Sequence, residues 1–106
     1  MNMILNEFVV PADHPSLAGH FPGQPVVPAV VLLDAVLAAI RTRGYFVLRS
    51  IPVAKFLLPV LPDETVQLRI HFHSIDAAQL RASFEGLRAA ALAFEGSFIV
   101  SSGSER

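Results

Sequence analysis

The sequence predicts an α+β chain with a single helix among strands, and two stretches decide it. Residues 29–40, Ala-Val-Val-Leu-Leu-Asp-Ala-Val-Leu-Ala-Ala-Ile, are apolar almost all the way round, the pattern of a helix buried on every side. Residues 66–73 instead alternate strictly: Val66, Leu68, Ile70 and Phe72 face in, while Gln67, Arg69, His71 and His73 face out. A length of 106 residues allows one domain, expected over 1–106, with a core but little room for a second one.

In chain order, a first strand is expected from Ile4 to Val10, stopped by Pro11. Residues 11–28 hold five prolines and two glycines and no periodic run. A loop of that length in a small domain is usually functional or disordered, and its apolar Leu17, Phe21, Val26 and Val27 disfavour disorder. The helix starts at Pro28 or Ala29, since proline suits a first helical position. Arg41 and Arg43 complement its C-terminal dipole and Gly44 ends it. Strands follow over 46–58, with Pro52 marking an edge or a bulge, and over 66–73 after a turn at 59–64. Leu80, Ala82 and Phe84 alternate with polar residues, and Glu85-Gly86 is expected to form a hairpin turn. Residues 87–94 have helical propensity. They are nonetheless assigned to a last strand running to about Val100, because Phe94, Gly96, Phe98 and Val100 share one face. Residues 101–106 are expected to fray.

Composition narrows the function classes. Hydrophobic residues make up 53% and mean hydropathy is +0.53, yet no apolar run reaches the ~18 residues of a membrane span. A subunit interface is the expected outlet for this surplus apolar surface. A net charge of −1 and a pI near 6.4 argue against nucleic acid, which needs a concentrated basic field. With no cysteine there is no disulfide framework and no thiolate metal site. The start of the chain lacks a signal-peptide pattern, and a cytoplasmic location is expected.

One short stretch carries chemistry. His20 sits in a Pro/Gly loop feeding the N-terminus of the apolar helix, and Asp34 is that helix's one carboxylate, fourteen positions downstream. Singly, His20 reads as a loop histidine and Asp34 as a helix residue reaching solvent. Together with the open N–H groups of a helix start, they supply a base, an acid and an oxyanion site. That is the inventory for proton abstraction next to a carbonyl.

The run His20-Phe-Pro-Gly-Gln-Pro-Val-Val-Pro28-Ala-Val-Val-Leu-Leu-Asp34-Ala35 resembles the signature of the 3-hydroxyacyl-[acyl-carrier-protein] dehydratases of the hotdog fold. Their pattern is His-Phe-Pro-Gly-x-Pro, then x-x-Pro-Gly, then Glu or Asp fourteen residues after the histidine. Lys55-Phe56, Pro59-Val60 and Pro62-Asp63-Glu64 are similar to the family's strand and turn after the helix, so the resemblance spans Ala12 to Val100. Asp13-His14-Pro15 and the compact length look most like the small aryl-polyene-type members.

The resemblance implies an antiparallel sheet wrapped around one long central helix, in a homodimer whose sheets join. It implies a site shared between subunits, with His20 from one and Asp34 from the other, acting on a 3-hydroxyacyl thioester borne by acyl carrier protein. His20 takes the α-proton, and Asp34, desolvated between the subunits, helps the hydroxyl leave as water. The amide of Ala29 polarises the carbonyl, Gly23 and Phe21 flank the substrate, and Leu33, Leu37 and Phe56 line the acyl tunnel. No cofactor and no metal enter. Three positions depart from the pattern: Ala29 replaces the usual glycine, Asp34 the commoner Glu, and Ala38 a frequent glutamine.

Other readings stay open. A hotdog thioesterase needs a carboxylate directing water at the carbonyl, and a non-catalytic acyl-binding partner needs no acid or base. His71 and His73 read as a solvated sheet face, since no third metal ligand is in reach. His14 caps or orients its loop. Arg41, Arg43, Arg49 and Lys55 either dock an acidic carrier protein or serve solubility.

Overall fold

The computed structural model describes residues 3–17 and 26–103. Its elements are β1 (Met3–Val9), a 3-10 turn (Pro15–Leu17), α1 (Ala29–Arg41), β2 (Phe46–Phe56), β3 (Thr65–Ser74), β4 (Gln79–Arg88) and β5 (Ala91–Ser102). The strands form one sheet in the order β1-β3-β4-β5-β2, every neighbouring pair antiparallel. One sheet face packs against α1, and the alternation of β3 is as expected, with Val66, Leu68 and Ile70 buried.

Pro28 stands in extended conformation just before the first turn of α1, so the helix starts where its ring permits. Val31, Leu32, Val36, Ala39 and Ile40 form its buried face. Burying one such aliphatic side chain contributes about 1.5–3 kcal/mol. The expectation of burial on every side is corrected here: Val30, Asp34 and Ala38, spaced one turn apart, are exposed in the chain. A single five-stranded sheet can cover only one side of a helix, so apolar composition alone did not settle this point. At the other end the Thr42 hydroxyl donates to Ala39 O (2.7 Å). Arg41 Nε donates to Phe46 O (3.2 Å), and Arg43 Nη2 donates to Met3 O. These two arginines stitch the helix end to the starts of β2 and β1.

The hairpin between β4 and β5 differs from the sequence expectation. Gly86 lies inside β4, and the turn is Ala89-Ala90, with φ of 48° and 65°. Arg88 pairs with Ala91 across it, which makes a two-residue turn with both central residues in the left-handed region. Gly86 is small for a different reason. It faces Phe94 across the ladder, and a Cβ there would stand 2.1 Å from the ring. Gly96 faces Phe84 in the same way, with a Cβ 2.2 Å from Val53 O and 2.8 Å from Phe84 Cζ. Two glycines thus seat two buried phenylalanines, whose rings lie 6.2 Å apart.

Register shifts between Gly86 and Leu87, which leaves Ala93 as an extra residue in β5. Its carbonyl accepts both Leu57 N–H (2.8 Å) and Leu58 N–H (3.1 Å), turning the chain back after β2. Val60 O then accepts Val27 N–H (2.8 Å), which fixes the approach to the helix start. β2 is an edge strand whose register shifts between Leu48 and Val53, as Pro52 foretold. Ser101 and Ser102 belong to β5 rather than to a frayed tail: Ser101 is buried and its hydroxyl accepts from Arg49 Nε (2.8 Å). Residues 104–106 lie outside the described residues.

Candidate active site

Val31, Asp34 and Ala35 share one flank of α1 through i, i+3 and i, i+4 spacing. That flank meets the end of β1, and a depression of about 270 Å³ opens between them, lined by Phe8, Val9, Val10, Pro11, His14, Val31, Asp34 and Ala35. Among its described residues the walls are apolar except for Asp34 and His14. Asp34 is exposed in the single chain, so the burial implied by the resemblance requires a second subunit.

The β1 side of this depression is held rigidly. Val10 O accepts Asp63 N–H (2.8 Å) and Asp63 Oδ1 accepts Ala12 N–H (3.3 Å), joining the loop to the turn before β3. Asp63 holds φ 67°, a conformation that Asp tolerates better than most residues. His14 N–H donates to Pro11 O (3.0 Å), and His14 O accepts Leu17 N–H (2.9 Å).

Ala29 opens the helix and is exposed. Pro28 O accepts the amides of Val31 (3.0 Å) and Leu32 (3.3 Å), and Pro28 has no side-chain oxygen with which to cap the rest. Ala29 and Val30 lie in the first turn, whose amides an α-helix leaves without intrahelical acceptors at the positive end of its dipole, a position that suits an oxyanion. A rise of about 1.5 Å per residue puts Asp34 about 7.5 Å along the axis from Ala29.

His20, Phe21 and Gly23 lie outside the described residues. Leu33 and Leu37 are half-buried and pack against the core. Phe56 ends the edge strand, 43% exposed, with its ring 6.2 Å from that of Phe94. None of these three lines the depression beside Asp34 within one chain. Sequence reasoning missed Phe8, Val9, Val10 and Pro11 as its wall, and the one signal for them was the strand halted by Pro11. Among the basic residues, Arg41, Arg43 and Arg49 donate to protein oxygens, and Lys55 is exposed and pairs with Glu95 across β2 and β5. Among the described residues no group of three or more His, Cys, Asp or Glu could hold a metal ion. No helix there is long and apolar enough to cross a membrane.

A family model described as ApeI-like, ApeI dehydratase, matches residues 1–96. The chain belongs to this ApeI-like dehydratase family. It is also similar to the 3-hydroxyacyl-[acyl-carrier-protein] dehydratase FabZ of Chlamydia trachomatis serovar L2, 33% identical over 105 residues. That match covers 89% of this chain but 64% of the relative's length. Among solved structures, the dehydratase heterocomplex ApeI:P from Xenorhabdus doucetiae superposes with a TM-score of 0.76 at 22% identity, covering 94% of this chain and 88% of that one. The fluoroacetyl-CoA thioesterase FlK superposes with a TM-score of 0.75 at 14% identity, covering 93% and 83%. These likenesses establish the hotdog fold of this ApeI-like chain. One such fold carries both elimination and thioester hydrolysis, so the reaction has to be argued from the site.

Proposed function

We propose that this protein dehydrates 3-hydroxyacyl thioesters carried by acyl carrier protein, giving the trans-2-enoyl thioester and water. The observation that carries this reading is Asp34. A carboxyl group stands on the exposed stripe of the helix, at an apolar depression and about 7.5 Å along the axis from the first helical residue. A hydroxyl leaving in such surroundings needs an acid beside it, and a thioester carbonyl needs donors. In this reading His20 removes a proton from C2, the C2–H electron pair becomes the C2=C3 double bond, and the C3–O bond breaks. Asp34 gives its proton to the departing oxygen, and the Ala29 amide holds the carbonyl oxygen as charge builds there. The methyl group of Ala29, in place of the family's glycine, narrows the approach of the thioester.

The second half of the site comes from a second subunit, and the whole chain, 1–106, acts as one domain. Edge strand β2 exposes Ile51, Val53 and Phe56, followed by Leu57 and Leu58, an apolar border suited to joining another sheet. A homodimer is the proposed assembly. The ApeI:P structure is a heterocomplex, so a partner chain of different sequence is the alternative occupant.

The test is mass spectrometry of 3-hydroxyacyl-carrier protein incubated with the protein, alongside its mass in solution. Wild type should remove one water, and Asp34→Asn should slow this by on the order of 10²–10⁴-fold. Because Asn matches Asp in size and shape, the variant's Tm should stay within about 4 °C of wild type. Release of the free carrier thiol would instead indicate a thioesterase. An unchanged substrate would indicate an acyl-binding partner, and a strictly monomeric active protein would refute the shared site.

A further inference from the structure

We infer that His14 is a second polar contact for the reacting 3-hydroxyl, opposite Asp34 in the depression between α1 and the end of β1. The inference rests on the dehydratase reading above and names a residue that reading does not use. Among the described residues of this lining, His14 and Asp34 are the two with polar side chains. The nearby backbone is already committed: Val10 O accepts Asp63 N–H, Pro11 O accepts His14 N–H, and Val9 pairs with Thr65 in the sheet. Pro11 has no N–H to offer. A hydroxyl entering this lining has two lone pairs and a proton to satisfy, and a carboxyl group alone leaves part of that capacity unmet.

The backbone of His14 is pinned on both sides, through its N–H to Pro11 O and through its C=O to Leu17 N–H, and Pro15 fixes the next φ. A residue held this way, half-buried at the lip of the depression, starts from a fixed backbone, so that only its side-chain torsions remain to be ordered. An imidazole has two ring nitrogens, so one can hold the hydroxyl or the departing water while the other keeps the ring oriented. The bond changes stay those of the proposed elimination: Asp34 gives the proton, C3–O breaks, and the water formed is held by His14 until it leaves.

The experiment compares wild type, His14→Phe and His14→Gln on 3-hydroxyacyl-carrier protein, with binding of the saturated acyl-carrier protein of equal length as a second readout. His14→Phe should lower kcat/KM by roughly 10–100-fold while the Kd for the saturated chain stays within about 2-fold. His14→Gln, which keeps a donor and an acceptor, should recover most of the loss. Turnover of His14→Phe within about 2-fold of wild type overturns the inference, as does an equal loss of saturated-chain binding, the mark of a structural role. If wild type removes no water, the dehydratase reading fails on its own. The preference of wild type for the 3-hydroxy over the saturated chain then decides His14, according to whether the variant loses it.

Discussion

Replacing Gly86 by alanine tests the packing that sets the hairpin register. The added Cβ would meet Phe94 Cζ at 2.1 Å and Cε2 at 2.2 Å, where ordinary contact begins near 3.4 Å, so the ring must move by more than 1 Å. Phe94 is fully buried, with Phe84 and Phe56 each at 6.2 Å between ring centroids. Overpacking of this kind costs typically 1–3 kcal/mol, and a ring flanked on two sides puts it near the top, at about 3. Against that, exchanging glycine for alanine within a strand recovers about 0.5–1 kcal/mol of backbone entropy. The clash wins by about 2 kcal/mol, which lowers Tm by roughly 8–16 °C in a domain of this size. The assay is urea unfolding of Gly86→Ala, Phe94→Leu and the double variant. Phe94→Leu makes a cavity beside position 86, and the alanine methyl should fill part of it. The double variant should therefore be more stable than the sum of the singles by at least about 1 kcal/mol. Additivity within about 0.5 kcal/mol would refute the account, as would a Gly86→Ala protein as stable as wild type.

Two further predictions concern stability. The pair Ala89→Asn, Ala90→Gly should stabilise the protein by about 1–2 kcal/mol in urea unfolding, because both positions hold positive φ and the side chains are exposed. Asp63→Ala should destabilise by about 1–2 kcal/mol, losing the bond from Ala12 N–H and straining φ 67°. Asp63→Gly should recover the strain portion alone, so its midpoint should fall between those of Asp63→Ala and wild type.

Local pattern determined much of this protein. Strict alternation over 66–73 placed β3 and its buried face, because a side-chain period of two has one physical realisation in a half-buried strand. Pro28 and Gly44 bracketed α1, since one ring fixes φ for a first turn and the other residue takes φ 155° after the last. The fourteen-residue spacing from His20 to Asp34 marked the candidate chemistry, and the family match over 1–96 agrees with the signature around it.

Contacts between distant segments decided the rest. Gly86 looked like a turn residue because glycine serves turns and close approach equally. Only Phe94, arriving from the next strand, shows which demand applies. The Ala89-Ala90 turn was invisible because alanine carries no turn preference, and register forced it there. Asp34 sat in an apolar run that composition alone assigns to the interior. The sheet covers one side of the helix, and the uncovered stripe falls on that carboxyl group. That Asp34, His14 and the end of β1 line one depression depends on strand order, which no residue-by-residue pattern encodes. Periodicity is a property of neighbours along the chain, whereas a site is made by neighbours across it.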